Sequence, residues 1–183
     1  MPAIPPHAKK VFSGEIFDVH QWEQTLYDGS TATFEMLKRP NTVEVIAVAD
    51  NHILLAYEEQ PNKGPHYTLF GGRQEPDEEP LEAIQREFLE ESGHASDDWD
   101  LFHSAQPVGK IEWTIYTYIA LHCKKIQEPM LDPGEKIEIR PVSFDEFIDI
   151  ATGDEFYGRE LAFQILKMQR DRTLEAFQKR LFG

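Results

Sequence analysis

The chain has a single cysteine, Cys123, among 183 residues, so an internal disulfide is excluded. Positive charge is also scarce, because 18 Lys and Arg stand against 33 Asp and Glu and give a formal net charge of -15. A surface of that sign repels nucleic-acid phosphates and anionic membranes. We therefore expect neither nucleic acid nor a membrane among the partners.

Long apolar runs are absent as well. No stretch approaches the roughly 20 apolar residues of a membrane span, and the first ten residues, MPAIPPHAKK, lack the charged and apolar regions of a secretory leader. The sequence thus predicts a cytoplasmic protein. With 40% hydrophobic and 28% charged residues, it suits one globular domain over residues 1–183, with a strand extension over 1–40 and a core over 41–183.

Local patterns predict an α/β protein. Alternating apolar and polar residues over 11–37, with a turn at Asp28 and Gly29, predict an N-terminal β-hairpin extension. Ser143 and Glu146 predict a capping box, and residues 159–182 predict one long amphipathic helix. Further strands are predicted over 41–49, 53–57, 67–70, 113–122 and 136–142.

The richest segment is GRQEPDEEPLEAIQREFLEESG, residues 72–93. Pro80 suits the first turn of a helix and Gly93 suits the left-handed stop just past the end, so a helix is predicted over 80–92. Leu81, Ile84 and Phe88 recur at helical spacing and predict the face that packs on the core.

Three glutamates crowd the end of this predicted helix. Glu87, Glu90 and Glu91 lie at i, i+3 and i+4, where like charges cost about 0.2–0.5 kcal/mol per pair. Acids in a last turn also oppose the helix dipole by roughly 0.3–1 kcal/mol each. A cation is therefore predicted there, and carboxylate ligands suit Mg²⁺ or Mn²⁺. The fork of Arg86 is expected to hold Glu78 and leave the metal ligands free.

This segment resembles the Nudix box, with His94 in place of the usual aliphatic residue at its last position. The matching residues are Gly72, Glu78, Arg86, Glu87, Glu90, Glu91 and Gly93. A solvated glutamate-rich helix in an acidic protein is the alternative interpretation. The glycines, Arg86 and Glu78 at their spacings favour the functional one.

The resemblance implies the Nudix fold, an α/β/α sandwich around a mixed β-sheet. It also implies that the carbonyl of Gly72 contacts the metal. The N-terminal strands leading into Arg39 and Pro40, with the C-terminal helix, are similar to the ADP-ribose pyrophosphatase branch. Members of that branch form two-fold dimers through their N-terminal strands, so a homodimer is expected.

Hydrolysis of a diphosphate also needs a base for the attacking water. The resemblance points to a glutamate-rich loop after the central strand, here residues 131–139, where Glu135 is the candidate base. A solvated turn acid is an equally open interpretation of Glu135. Glu112 is the other candidate.

Substrate contacts are less marked in the sequence. Arg39 and Arg73 are candidates for phosphate binding, although solvated surface charge is the alternative for each. Trp22, with Phe17 and Tyr27, is a candidate for stacking on a base across a dimer, and packing is the alternative.

The sequence therefore predicts a metal-dependent hydrolase that cleaves the diphosphate of a nucleoside diphosphate linked to another moiety, ADP-ribose or another nucleotide sugar foremost. The alternatives are a nucleoside triphosphate pyrophosphohydrolase and a nucleotide-sensing module without turnover. An isomerase of isoprenoid diphosphates ranks last, because Cys123 is poorly placed to react.

Overall fold

In a computed structural model, which describes residues 4–183, the N-terminal part of the chain forms a four-stranded sheet. The predicted hairpin is present, and its turn is closed by the backbone N–H of Ser30, which donates to Asp28 Oδ1 at 3.0 Å. The order in this sheet is β1 (Lys9–Ser13), β2 (Asp18–Thr25), β3 (Thr31–Lys38) and β10 (Ile111–Glu112).

A seven-stranded mixed sheet forms the middle layer. Its order is β13-β5-β4-β11-β9, while β6 pairs with β5, and β7 pairs with β4. Within this sheet, β4 and β11 are the one parallel pair among the described strands. The strands are β4 (Thr42–Ala49), β5 (His52–Gln60), β6 (Lys63–Thr68), β7 (Phe70–Arg73), β9 (Asp98–Ala105), β11 (Ile115–Leu121) and β13 (Lys136–Val142). A separate ribbon pairs β8 (His94–Ala95) with β12 (Lys124–Lys125).

One face of the sheet is covered by α1 (Pro80–Ser92), the helix predicted over these residues. The helix ends at Gly93, whose φ is 70° and whose N–H donates to Leu89 O. It buries Ile84 and Phe88 as expected, together with Ala83. Leu81 was expected in this stripe but is 37% exposed, because it lies in the first turn, away from the sheet.

His94, which departs from the Nudix pattern, has a packing role. Its Nδ1 lies 2.8 Å from the carbonyl oxygen of Ser92, and its ring faces Phe88 at 6.2 Å. These two contacts hold the chain where it leaves α1. An aliphatic side chain could pack on Phe88 but could not make the polar contact with Ser92.

The other face of the sheet is covered by α2 (Phe144–Ala151), α3 (Arg159–Asp171) and α4 (Leu174–Phe182). The capping box of Ser143 and Glu146 is present at the start of α2. The prediction of one helix over 159–182 is wrong, because the chain turns at Arg172, whose φ is 57°. This turn brings Phe177 of α4 into the core that α3 also covers.

Alternate residues of β4 divide the core into two layers. Val43 and Val45 pack toward α1, whereas Ile46 and Val48 pack toward α2, α3 and α4. The α/β/α sandwich expected from the sequence is therefore confirmed. Among the described helices, none combines the length and apolarity required to cross a bilayer.

Candidate active site

Two glycines of β7 bring the strand backbone against α1. A Cβ on Gly72 would lie 2.5 Å from Cδ of Glu87, so the Glu87 carboxylate occupies the space that any side chain would need. Gly71 has a φ of 149°, and a Cβ there would lie 2.1 Å from the carbonyl oxygen of Val43. The Gly71 N–H donates to Glu91 Oε2 at 2.8 Å. Only glycine permits this approach of carboxylates to the strand.

The two carboxylates that touch β7 are poorly solvated. Burial raises the pKa of Glu91 well above its ordinary value, and the negative charge of Glu87 raises it further. Burial also raises the pKa of Glu87, although the neighbouring Arg86 guanidinium opposes that shift. Carboxylates in such surroundings favour either a proton or a cation.

Arg86 supplies positive charge to this cluster. It holds Glu78 with two hydrogen bonds, from Nε to Oε1 at 2.8 Å and from Nη2 to Oε2 at 3.0 Å, and it lowers the pKa of Glu78. Arg86 is not restricted to Glu78, however. Its Nη1 also lies 3.0 Å from Glu87 Oε1 and 3.1 Å from Glu90 Oε2, because both carboxylates are within one helical turn.

The loop between β7 and α1 is held in place by Asn41, a residue that no sequence motif had indicated. Asn41 Nδ2 donates to Gln74 Oε1 at 2.9 Å, and the Gln74 N–H donates to the carbonyl of Asn41 at 3.0 Å. Asn41 Oδ1 also accepts from the backbone N–H of Thr114 at 2.9 Å. Asn41 thereby joins the loop to the strands β4 and β11.

Glu135 and a residue that sequence reasoning missed, Glu58, complete the acidic cluster. Glu58 pairs with Ile137 of β13, two residues after Glu135, and with His66 of β6. Burial raises the pKa of Glu135, and the negative charges of Glu58 and Glu90 raise it further. Glu58 lies within β5, two residues before its end, and belongs to no spaced motif, so only the strand pairing reveals it.

The donor set fits a hard divalent cation. Glu87, Glu90, Glu91 and the carbonyl of Gly72 offer only oxygen ligands, which Mg²⁺ and Mn²⁺ prefer. Among residues 4–183, no group of three His, Cys, Asp or Glu side chains is already arranged to hold a metal ion. Arg86 Nη1 stands between Glu87 and Glu90, so a cation there would replace its contacts.

Glu112 lies in a different environment, on β10 of the N-terminal sheet. Its carboxylate accepts a hydrogen bond from the Ile4 N–H at 3.0 Å and pairs with Lys38 Nζ at 2.7 Å. Burial acts to raise the pKa of Glu112, but these two contacts outweigh it and leave the pKa lowered. With Arg39 it lines a cavity of about 660 Å³ between the N-terminal sheet and the loop before α1.

Arg39 and Arg73 lie close enough to influence each other. Burial lowers the pKa of Arg39, and the charge of Arg73 lowers it further. The Arg39 guanidinium stacks 4.7 Å from the ring centre of Trp113, and its buried Nε has no hydrogen-bond partner. Neither arginine forms a salt bridge in the part of the chain that the structure describes.

The three candidate stacking aromatics are spread along the hairpin extension. Trp22 packs on Phe34 at 6.1 Å and donates from Nε1 to Gln24 Oε1 at 3.1 Å. Tyr27 is fully exposed in the hairpin turn. Of the three, only Phe17 contacts a candidate phosphate-binding residue, since Arg39 lies 5.7 Å from its ring centre.

The chain is similar to several known proteins. The model of the NUDIX domain family matches residues 38–162. An ADP-ribose pyrophosphatase of Bacillus subtilis (strain 168) is 24% identical over 174 residues, covering 92% of this chain and 93% of that protein. A methanol dehydrogenase activator of Bacillus methanolicus is 24% identical over 168 residues, covering 88% and 90%.

Among solved structures, an ADP compounds hydrolase superposes with a TM-score of 0.74 at 17% sequence identity. The match covers 94% of this chain and 95% of that one. The likeness covers nearly the whole of both chains, so the shared feature is the fold.

Proposed function

Because the chain belongs to the NUDIX family and is a hydrolase of the pyrophosphatase class, we propose that it cleaves the diphosphate of a nucleoside diphosphate sugar, with ADP-ribose foremost. The products are a nucleoside monophosphate and a sugar phosphate. Similarity to a curated ADP-ribose pyrophosphatase along nearly the whole chain supports this substrate class.

The observation that carries the proposal is the contact of two α1 carboxylates with the glycines of β7. Glu91 accepts from Gly71, and Glu87 lies against Gly72, so both carboxylates converge beside the strand backbone. A bound Mg²⁺ or Mn²⁺ supplies charge neutralisation at the phosphate oxygens and lowers the pKa of a bound water. The residues that would hold it are Glu87, Glu90, Glu91 and the Gly72 carbonyl.

Arg86 and Glu78 act as positioning residues in this proposal. The two hydrogen bonds between them tie α1 to the loop before it and fix the side of the helix that faces β7. A cation held by the cluster would compete with Arg86 for Glu87 and Glu90, whereas the two hydrogen bonds from Arg86 to Glu78 would be unaffected.

For the base we propose Glu135 and not Glu112. The charge of Glu135 raises the pKa of both Glu87 and Glu91, so Glu135 lies close enough to interact with these two carboxylates. A raised pKa suits a proton acceptor near neutral pH. Glu112 is instead held by Lys38, which lowers its pKa and makes it a weaker base.

Arg39 and Arg73 are the proposed phosphate contacts. In a chain with a net charge of -15, two neighbouring guanidiniums without a carboxylate partner favour an anion between them. Trp22 remains a proposed stacking residue for the base, contributed across a dimer.

A substrate panel tests the proposal. We expect ADP-ribose to be hydrolysed to AMP and ribose 5-phosphate in the presence of Mg²⁺ or Mn²⁺, with EDTA abolishing turnover. Dinucleotides, other nucleotide sugars and nucleoside triphosphates serve as competitors, and products are identified by chromatography. Faster release of diphosphate from a triphosphate would overturn the substrate assignment, and turnover of nothing in the panel would favour a nucleotide sensor.

We also propose a homodimer formed through the N-terminal sheet. Val11 and Phe12 of β1 and Ile16 in the turn after it are 52%, 59% and 44% exposed, and exposed apolar side chains near one another are typical of an interface. Light scattering is expected to give twice the mass of one chain, and Phe12→Asp is expected to give a monomer. Ile126→Asp, at a residue that is 63% exposed just after β12, is the matched control. A monomeric wild type would refute the dimer.

A further inference from the structure

Glu44 is the one charged residue of β4, whose sequence is TVEVIAVA. Its neighbours along the strand, Val43 and Val45, are fully buried under α1. Side chains alternate across a strand, so Glu44 shares the opposite face with Ile46, beneath the helices α2 to α4. A carboxylate at the margin of an apolar layer lowers stability unless it is compensated by hydrogen bonds or a cation.

The compensation present is incomplete. Thr117, which is 2% exposed, donates from Oγ1 to Glu44 Oε1 at 2.7 Å. No Lys, Arg or His in residues 4–183 forms a salt bridge with Glu44. Burial raises the pKa of Glu44 to about 7, and the charge of Glu160 on α3 acts in the same direction. Glutamine would satisfy Thr117 equally well, so packing alone does not account for a carboxylate here.

Glu44 lies next to the proposed metal site in the sheet. It pairs with Gly71 on one side and with Thr117 on the other. Gly71 also donates to Glu91, so Glu91 and Glu44 approach the same glycine from opposite faces of the sheet. Among the described strands, β7 pairs only with β4, and side chains of α1 contact its backbone at Gly71 and Arg73.

The distances along β7 suit one ligand that spans both groups. With a rise of roughly 3.3 Å per residue, Gly72 and Arg73 lie within about 7 Å of Gly71 along the strand. Neighbouring strands lie about 4.8 Å apart, so Gly71 is next to Glu44 across the pair and Gly72 follows it along β7. Neither glycine places a side chain between Glu44 and the acidic cluster.

We propose that Glu44, backed by Thr117, is a specificity residue that accepts hydrogen bonds from a neutral donor group of the substrate, either a sugar hydroxyl or the amino group of a base. The proposal rests on the proposed hydrolysis of a nucleoside diphosphate sugar. Glu44 and Glu160 together disfavour a phosphate at this position. Such a substrate carries no cationic group, so hydroxyls and amines are its available donors for a carboxylate.

The test compares wild type, Glu44→Gln and Glu44→Ala with ADP-ribose and Mg²⁺. A lost hydrogen bond to a charged acceptor corresponds to about a 10- to 100-fold rise in KM. We expect that rise in Glu44→Ala, a smaller one in Glu44→Gln, and a kcat within about threefold of wild type in both. Glu175→Gln, at an exposed acid of α4, is the control and is expected to match wild type.

Two analogues identify the donor. Inosine diphosphate ribose lacks the amino group of the base, and 2″-deoxy-ADP-ribose lacks one hydroxyl of the terminal sugar. Wild type is expected to discriminate against one of them, and Glu44→Ala is expected to lose that discrimination. Unchanged KM values and unchanged discrimination in both variants would overturn the inference. Failure of wild type to hydrolyse ADP-ribose would instead refute the proposed function.

Thermal stability separates this role from a structural one. Above pH 7 the charged form of Glu44 destabilises the fold, because burial raises its pKa to about 7, well above the value in the unfolded chain. Glu44→Gln is therefore expected to raise the Tm at pH 8 and to leave it nearly unchanged at pH 5. A lower Tm together with unchanged kinetics would assign Glu44 to the fold alone.

Discussion

Replacing Glu91 with glutamine is expected to lower kcat by about a thousandfold. Metal ions contribute several kcal/mol of transition-state stabilisation, and each ~1.4 kcal/mol corresponds to a factor of ten in rate. Glu91 lies in the interface between α1 and β7, where its Oε2 accepts from the Gly71 N–H. Glutamine keeps an oxygen for that N–H but loses the negative charge that a cation requires.

The fold of this variant is expected to survive. Burial already raises the pKa of Glu91 well above its ordinary value, so a neutral side chain is compatible with the surroundings. Without metal, its Tm is expected to equal or exceed that of wild type. With Mn²⁺ at about 100 times its Kd, wild type gains about 2.7 kcal/mol of stability, whereas the variant gains much less.

Calorimetry with Mn²⁺ alone and a steady-state assay with ADP-ribose measure the two effects independently. Glu175→Gln is again the control, because that acid is exposed on α4, on the far side of the sheet. A Glu91→Gln enzyme with wild-type turnover and wild-type Mn²⁺ affinity would remove Glu91 from the metal site.

Sequence reasoning succeeded where a short segment contains its own signals. The bounds of α1 follow from Pro80 and Gly93, which act at the first turn and at the stop regardless of what the helix packs on. The hairpin turn at Gly29 and the capping box at Ser143 are equally local. The contact between Arg86 and Glu78 was predictable for the same reason, since the two are only eight residues apart and only the start of α1 separates them.

The break between α3 and α4 could not be predicted in this way. Apolar residues continue at helical spacing through it, and neither glycine nor proline marks Arg172, where φ is positive. The turn exists because Leu161 of α3 and Phe177 of α4 both reach the same core, which a straight helix would prevent. Strand β9, over Asp98–Ala105, was also missed, since its inward residues are interrupted by charged ones.

In the candidate active site, only the residues of α1 and the loop before it could be predicted from the sequence. Glu58 joins Glu135 through the register of β5 and β13, and Glu44 joins Gly71 through the register of β4 and β7. Such pairings link distant segments and leave no spacing to recognise. The extra contacts of Arg86 with Glu87 and Glu90 depend on rotamers, which the sequence does not specify.

Glu135→Gln is expected to lower kcat by about 10²- to 10⁴-fold, the range that a general base contributes, while Glu112→Gln is expected to leave kcat within about threefold. The two glutamates differ in their surroundings. Glu135 is surrounded by the negative charges of Glu58 and Glu90, which with burial raise its pKa toward a useful range for a base. Glu112 already pairs with Lys38 at 2.7 Å, so proton transfer to it would break that contact.

Metal binding distinguishes a base from a ligand. If Glu135 accepts the proton of the attacking water, Glu135→Gln retains Mn²⁺ affinity by calorimetry although its turnover is lost, in contrast to Glu91→Gln. Loss of both properties would make Glu135 a metal ligand and return the search for the base to the remaining acids of the cluster, Glu58 first. A large fall in kcat in Glu112→Gln, with Glu135→Gln active, would reverse the assignment and place the reacting water beside the cavity that Glu112 and Arg39 share.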